Sequence, residues 1–298
     1  MLTQKPGIPE IREFTKNSAP LIHCITNPIS IHDCANMILA VGARPIMAEH
    51  PEEVEEITEV SSALMLNLGN ITDARIISMQ RALSTANRKN IPVLLDLVGV
   101  TCSQLRRSFA KQLLSQGVFS VIKGNISEIL AAAELPYHGT GIDAGSQDAV
   151  SVENQAWYCE TARHLAKHLN CTVMATGKKD LIADAENAFL VSNGHAALSG
   201  VTGTGCMVGA LTAAYLPGSK AIFTKSGIFE TSSIIPDKTK VSYGTAAALL
   251  AAVAMGISGE LAAEISKGPG SFQTALLDEY VANHPGLNKV AIFIDNGY

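Results

Sequence analysis

The chain has 298 residues, 47% hydrophobic and 16% charged, enough apolar material for one large buried core. Its 22 basic and 27 acidic side chains give a formal charge of −5, and no stretch gathers lysine and arginine into a stripe, which argues against a nucleic-acid partner. Residues 1–20 are too polar and proline-interrupted for a signal peptide, and the alanine-rich run at 244–256 falls short of the roughly 20 residues of a membrane span. One cytoplasmic domain over 1–298, with no membrane association, is therefore expected.

Short apolar runs alternate with longer segments of helical period. Strands are predicted at 21–26, 44–48, 63–68, 91–97, 119–124 and 171–176, followed by two short runs, 180–184 and 187–192, whose two-residue separation predicts an edge hairpin. Helices are predicted at 30–41, from Pro51 with glutamates in its first turn, and at 73–89, where Thr72 or Asp73 can cap a face of Ile76, Ile77, Met79 and Leu83. Further helices are expected at 103–115, 149–168, 204–215, 240–256, 258–266 and 270–282. Residues 217–240 are the least periodic part and are expected to form an ordered excursion or a mobile loop. Strands apolar on both faces, alternating with helices, predict an α/β fold with a mainly parallel sheet covered on both sides.

The six cysteines are scattered, with no C-x-x-C pair and no His/Cys cluster at metal spacing, so reduced thiols are expected. In open α/β sheets, ligands bind where strands end and helices begin. The residues after the first six strands are Thr26-Asn27-Pro28, Met47-Ala48-Glu49, Asn67-Leu68-Gly69, Asp96-Leu97-Val98-Gly99, Lys123-Gly124-Asn125-Ile126-Ser127-Glu128 and Thr176-Gly177-Lys178-Lys179. Asp96 ends an apolar strand, where a carboxylate is costly unless paired, hydrated or bound to a cation. Asn125-x-x-Glu128 has the spacing of a capping box, and the same spacing turns Glu128 back toward the cleft as a possible Mg²⁺ carboxylate.

Residues 201–206, Val-Thr-Gly-Thr-Gly-Cys, precede a long apolar run. Gly203 and Gly205 let a ligand approach the backbone, and the helix that follows offers free N–H groups and a positive dipole end to an anion. The pattern is one residue off a dinucleotide fingerprint but lies far from a first strand–turn–helix unit, and no Walker P-loop occurs. His23, His32 and His195 read as structural histidines, and the glutamates from 49 to 56 as a solvated helix face.

These residues together carry a family resemblance. His23-Cys24-Ile25-Thr26-Asn27, Ala35-Asn36, Gly42-Ala43-x-Pro45-x-Met47-Ala48, Pro51-Glu52-Glu53-Val54, Asp96-x-Val98-Gly99, Gly124-Asn125-x-Ser127-Glu128, Ser192-Asn193-Gly194-His195, Val201-Thr202-Gly203-Thr204-Gly205-Cys206 and Lys267-Gly268-Pro269-Gly270-Ser271-Phe272 resemble the hydroxyethylthiazole kinases of thiamine salvage, over about 20–282. The resemblance implies a ribokinase-like α/β/α sandwich and ATP- and Mg²⁺-dependent phosphorylation of the hydroxyl of 4-methyl-5-(2-hydroxyethyl)thiazole. It also implies a homotrimer with active sites at the subunit interfaces.

Carried over residue by residue, Met47, Asn27 and Gly203 would meet the thiazole. Lys123 and Thr176 would contact ATP, the amides of Thr204, Gly205 and Cys206 would hold the transferring group, and Asp96 and Glu128 would serve the magnesium and its waters. Cys206 would stand where related sugar kinases place a catalytic aspartate, with a pKa lowered by the helix N-terminus. The chain departs from the family pattern at Leu97, where proline is common, at Lys123, where arginine is common, and in a longer 217–240 region. A neighbouring hydroxymethylpyrimidine kinase or hydrated-nucleotide dehydratase would normally carry aspartate at position 206. A non-catalytic nucleotide-binding regulator would have lost Asp96, Glu128 or the substrate pocket.

Overall fold

The structure is a computed structural model that describes residues 8–139, 145, 148–226, 229–230, 239–282 and 292–295. Along the chain come α1 (Ile8–Ser18), β1 (Leu21–Ile25), α2 (Ile31–Ala40), β2 (Arg44–Ile46), α3 (Val54–Glu59), β3 (Ala63–Asn67), α4 (Asp73–Arg88), β4 (Val93–Asp96), α5 (Gln104–Gln116), β5 (Val121–Asn125) and α6 (Ile126–Ala132). They continue with α7 (Gln155–Leu169), β6 (Thr172–Thr176), β7 (Asp180–Ala183), β8 (Ala188–Val191), α8 (Thr204–Ser226), β9 (Phe229–Glu230), β10 (Lys240–Val241), α9 (Tyr243–Ile265), α10 (Pro269–Ala282) and β11 (Ile292–Asp295).

Nine strands form one sheet in the order β11-β8-β7-β6-β5-β4-β3-β1-β2. The pairs from β2 through β6 are parallel, and β6–β7, β7–β8 and β8–β11 are antiparallel. The expected α/β/α architecture is present, and so is the β7–β8 hairpin. It is not the edge, however, because β11 pairs outside β8.

Period-2 alternation sorts the side chains into two apolar layers. Ala63 and Met65 of β3 enter the layer beneath α1, α2, α8, α9 and α10, whereas Leu64 and Leu66 enter the layer beneath α3 to α7. Strand order reverses between β1 and β3, which places a crevice at their carboxyl ends, where ligands bind in such sheets.

Thr72 caps α4, its hydroxyl accepting from the Arg75 N–H. The largest departure from expectation is α8. Pro217-Gly218 reads as a stop, yet the helix runs through Pro217 to Ser226. Packing overrides the punctuation: Leu216 and Ser219 are fully buried, and the Ser219 hydroxyl donates to Tyr243 O at 2.6 Å. Residues 227–228 and 231–238 of the expected excursion lie outside the described residues, while β9 pairs with β10. The helices expected at 240–256 and 258–266 are one, α9. By length and composition α8 and α9 could cross a membrane, which corrects the reading of 244–256 as too short, but 72% and 83% of their apolar windows are buried in the core.

Gly256 of α9 lies against the loop after β8, where an added Cβ would come within 2.7 Å of the backbone of Asn193. An alanine in a helix interior normally gains up to about 1 kcal/mol over glycine. Here Gly256→Ala is expected to lose on the order of 1–3 kcal/mol through overpacking. A fall in the urea midpoint checks this; a rise would contradict the close contact.

Candidate active site

Four loops and one helix end converge beside the β1/β3 reversal. Asp96 ends β4 and is fully buried. The Lys123 ammonium, from the neighbouring strand β5, lies 3.2 and 3.1 Å from its two carboxylate oxygens. Val98 N–H donates to Asp96 Oδ1 at 3.2 Å, and Asn67 Nδ2 donates to Oδ2 at 3.2 Å. Asn67 Nδ2 also donates to Cys206 Sγ at 3.3 Å, so one amide joins the carboxylate to the thiol.

Cys206 is in the first turn of α8. The turn is entered through Gly203 at φ +86°, a left-handed conformation open to glycine, and a Cβ there would meet Ser30 Cβ at 3.2 Å. Met207 N–H makes an early intrahelical bond, to Gly203 O at 2.9 Å, so the amides of Thr204, Gly205 and Cys206 belong to the donor-rich N-terminus. Gly205 faces the Lys123 ammonium, 3.5 Å from where its Cβ would stand. The Thr204 hydroxyl is turned to the carbonyls of Leu198 and Val201, at 2.9 and 3.3 Å. The Ser30 hydroxyl donates to Asn27 O at 3.2 Å and lies near the thiols of Cys206 and Cys34, whose charged forms it favours.

Glu128 sits in a complete capping box on α6: Asn125 Oδ1 accepts from Glu128 N–H at 2.9 Å, and Glu128 Oε2 accepts from Asn125 N–H at 2.7 Å. Its other oxygen accepts from Gly99 N–H at 2.6 Å, which ties the loop after β4 to the loop after β5. Capping and placement in the cleft are thus one arrangement. Arg106 braces the same corner, its Nη2 donating to Gly69 O at 3.1 Å and its Nη1 to Leu68 O.

The other expected residues are placed less centrally. Asn27 lies against Gly69, its Oδ1 accepting from Ile29 N–H at 3.1 Å. Met47 is half-buried after β2, in the same apolar layer as Cys206. The Thr176 hydroxyl donates to Gly124 O at 3.3 Å. His23 is structural as expected, with its ring nitrogens 2.9 Å from Thr58 Oγ1 and Ala48 O. Sequence reasoning passed over Asn67 and Ser30 as site residues, although Asn67 ends a strand in the same way as Asp96. A cavity of about 510 Å³ lined by Ser120, Thr172, Asp184, Ser242 and Tyr243 lies at the opposite end of the strands and shares no residue with this site.

Burial dominates the electrostatics. It pushes Asp96 up, opposed by Lys123, and the four hydrogen bonds on the carboxylate favour the charged pair. Burial pulls Lys123 down, but Asp96, with Cys206 and Glu128, more than reverses this and keeps the ammonium charged. Cys206 is raised, by burial first and Asp96 second, against Lys123. The lowering expected from the helix N-terminus is outweighed, so the resting group is a thiol. Glu128 is pushed up to about 7, by burial first.

Among the described residues no cluster of three His, Cys, Asp or Glu forms a metal cage. Two carboxylates beside a helix N-terminus nevertheless fit Mg²⁺, which keeps several waters and takes one or two carboxylates plus phosphate oxygens. Asp96 already receives four hydrogen bonds, so a water of the metal would replace one of them, whereas Glu128 receives two and keeps lone pairs free.

Residues 11–283 match the model of the hydroxyethylthiazole kinase family. The chain belongs to that family. Hydroxyethylthiazole kinase 2 of Clostridium botulinum strain 657 is 44% identical over 269 residues, covering 90% of this chain and 92% of the relative. The structure of the hydroxyethylthiazole kinase protein from Pyrococcus horikoshii OT3 superposes with a TM-score of 0.77 at 30% identity, covering 97% of this chain and 98% of that one. A ribokinase-like superfamily protein from Enterococcus faecalis V583, 12% identical with a TM-score of 0.56 over 92% of this chain and 95% of its own, shares the fold.

The raised Glu128 pKa sets a pH dependence. The folded protein holds this proton to about pH 7, whereas an ordinary glutamate releases it near 4.5. Its contribution to stability is therefore full below about 4.5 and is lost as pH rises through about 7. In metal-free protein, Glu128→Ala is expected to flatten the fall in unfolding free energy between pH 5 and 8. An unchanged slope would contradict the assignment.

Proposed function

We propose that this chain is an ATP-dependent kinase that transfers the γ-phosphoryl group to the primary alcohol of 4-methyl-5-(2-hydroxyethyl)thiazole, in thiamine salvage. The observation that carries the reading is the placement of the Cys206 thiol and the α8 amides in one turn, above Asp96 and Lys123, in a chain of the hydroxyethylthiazole kinase family. Phosphoryl transfer needs in-line positioning and charge stabilisation more than covalent help.

The amides of Thr204, Gly205 and Cys206 bind the anionic transferring group, and Lys123 adds positive charge from below. Asn27, Met47 and Gly203 form the thiazole end, and Thr176 stands at the nucleotide end. Glu128, with Asp96, would hold Mg²⁺ and its waters, and the ion would neutralise phosphate charge when bound. Cys206, a thiol at rest, orients the substrate hydroxyl; as the bond from that oxygen to phosphorus forms and the bond to the ADP oxygen breaks, the hydroxyl proton passes late to an oxygen of the transferred phosphoryl group. Six free cysteines and the acidic composition support a cytoplasmic enzyme of one kinase domain. The family resemblance, with Ile29 exposed two residues from Asn27, supports a homotrimer with interfacial sites. A hydroxymethylpyrimidine kinase is disfavoured by cysteine at position 206.

A coupled ADP-release assay tests the reading. Turnover of the thiazole alcohol is expected with Mg²⁺ and not without it, and hydroxymethylpyrimidine should be a poor substrate. No turnover of the thiazole alcohol would sink the proposal. Cys206→Asp, which supplies a carboxylate base, is expected to keep or raise kcat. Cys206→Ala should lower kcat by about tenfold or more.

A further inference from the structure

Asn67 lies at the last position of β3, fully buried, and makes three hydrogen bonds that fix it completely. Its Oδ1 accepts from Gly69 N–H at 2.8 Å. With the carbonyl oxygen committed to a backbone donor, the orientation of the amide is determined, and the Nδ2 protons must face Asp96 Oδ2 and Cys206 Sγ, at 3.2 and 3.3 Å. Both ends are anchored: the carboxylate by Lys123 and Val98 N–H, and the amide oxygen by the Gly69 turn, which Arg106 braces through Gly69 O.

We propose that Asn67 is a positioning residue for the reaction, holding the Cys206 sulfur in register with the substrate hydroxyl by hydrogen bonds that tie it to Asp96. The sulfur has an amide donor on the Asn67 side and the Ser30 hydroxyl on another, and Ser30 packs under Gly203 at the thiazole end. A cysteine side chain has one rotatable bond that moves its sulfur, so an amide donor fixed in space selects one rotamer. No apolar residue of similar size can do this, because hydrophobic contact does not direct a lone pair. The amide adds no charge to a cluster that already holds Asp96, Lys123 and Glu128, which suits asparagine to the place better than aspartate.

The inference rests on the reading of Cys206 as the group facing the hydroxyl, and a double-mutant cycle separates the two. With Cys206 present, Asn67→Ala is expected to lower kcat about tenfold and to change KM for the thiazole alcohol less than about twofold, because Asn67 touches the thiol and not the thiazole pocket. In the Cys206→Ala background the same change is expected to cost less than about threefold, since the sulfur it positions is gone. Equal losses in both backgrounds would overturn the role of Asn67 and leave that of Cys206 standing. An unchanged kcat in Cys206→Ala alone would overturn the reading of Cys206 and the inference with it. Asn67→Leu, which keeps the branch at Cγ but is larger and has no donors, runs through the same cycle if the alanine variant does not fold. A Leu variant with wild-type kcat would also refute the proposal.

Discussion

Everything at this site is organised around one buried ion pair. Asp96 and Lys123 come from adjacent parallel strands, and both lie out of water beneath the first turn of α8. Two charges taken into the interior cost several kcal/mol each, about what their mutual attraction returns, so such a pair persists only with further hydrogen bonds. Asp96 has them from Asn67 and Val98. Each donor belongs to a different strand or loop, and satisfying one carboxylate therefore fixes β3, β4, β5 and the loop after β4 relative to one another.

The same burial decides the chemistry of the thiol. A helix N-terminus favours a thiolate, by up to about 2 kcal/mol in partly buried geometries. Removal from water and the nearby Asp96 charge act against it and prevail, so Cys206 rests as a thiol. The amide ends of α8 remain available to an anion, and the sulfur remains available to a hydroxyl. Glu128 shows a related economy of parts: its two oxygens cap α6 and tie down Gly99 while its carboxylate stays within the field of Lys123. The capping box itself places the carboxylate in the cleft, which is why spacing alone left both readings of Glu128 open.

Much of this was legible in the sequence. The apolar runs of β1 and β3 to β6, with Asp96 ending one of them, follow from period and strand chemistry, and the turn that opens α8 follows from Gly203 and Gly205. Less legible were features decided by tertiary contact. Helix α8 passes through Pro217 because its flanks are buried against α1 and α9, and α1 and β11 were missed because each is stabilised mainly by what it packs or pairs with. Lys123 reads from sequence as a phosphate contact, but its ammonium is turned onto Asp96, a direction no one-dimensional pattern encodes. Asn67 was overlooked because asparagine after a strand reads as a turn residue, and its two acceptors are 29 and 139 residues away in sequence.

The most direct test of the central constraint is a urea-denaturation cycle on Lys123→Met, Asp96→Asn and the double variant. Removing one partner leaves a buried charge uncompensated, so Lys123→Met alone is expected to lose on the order of 3–5 kcal/mol, and the double variant to lose clearly less than the sum of the singles. Strictly additive losses would contradict the account, because Asp96 and Lys123 would then not be stabilising one another.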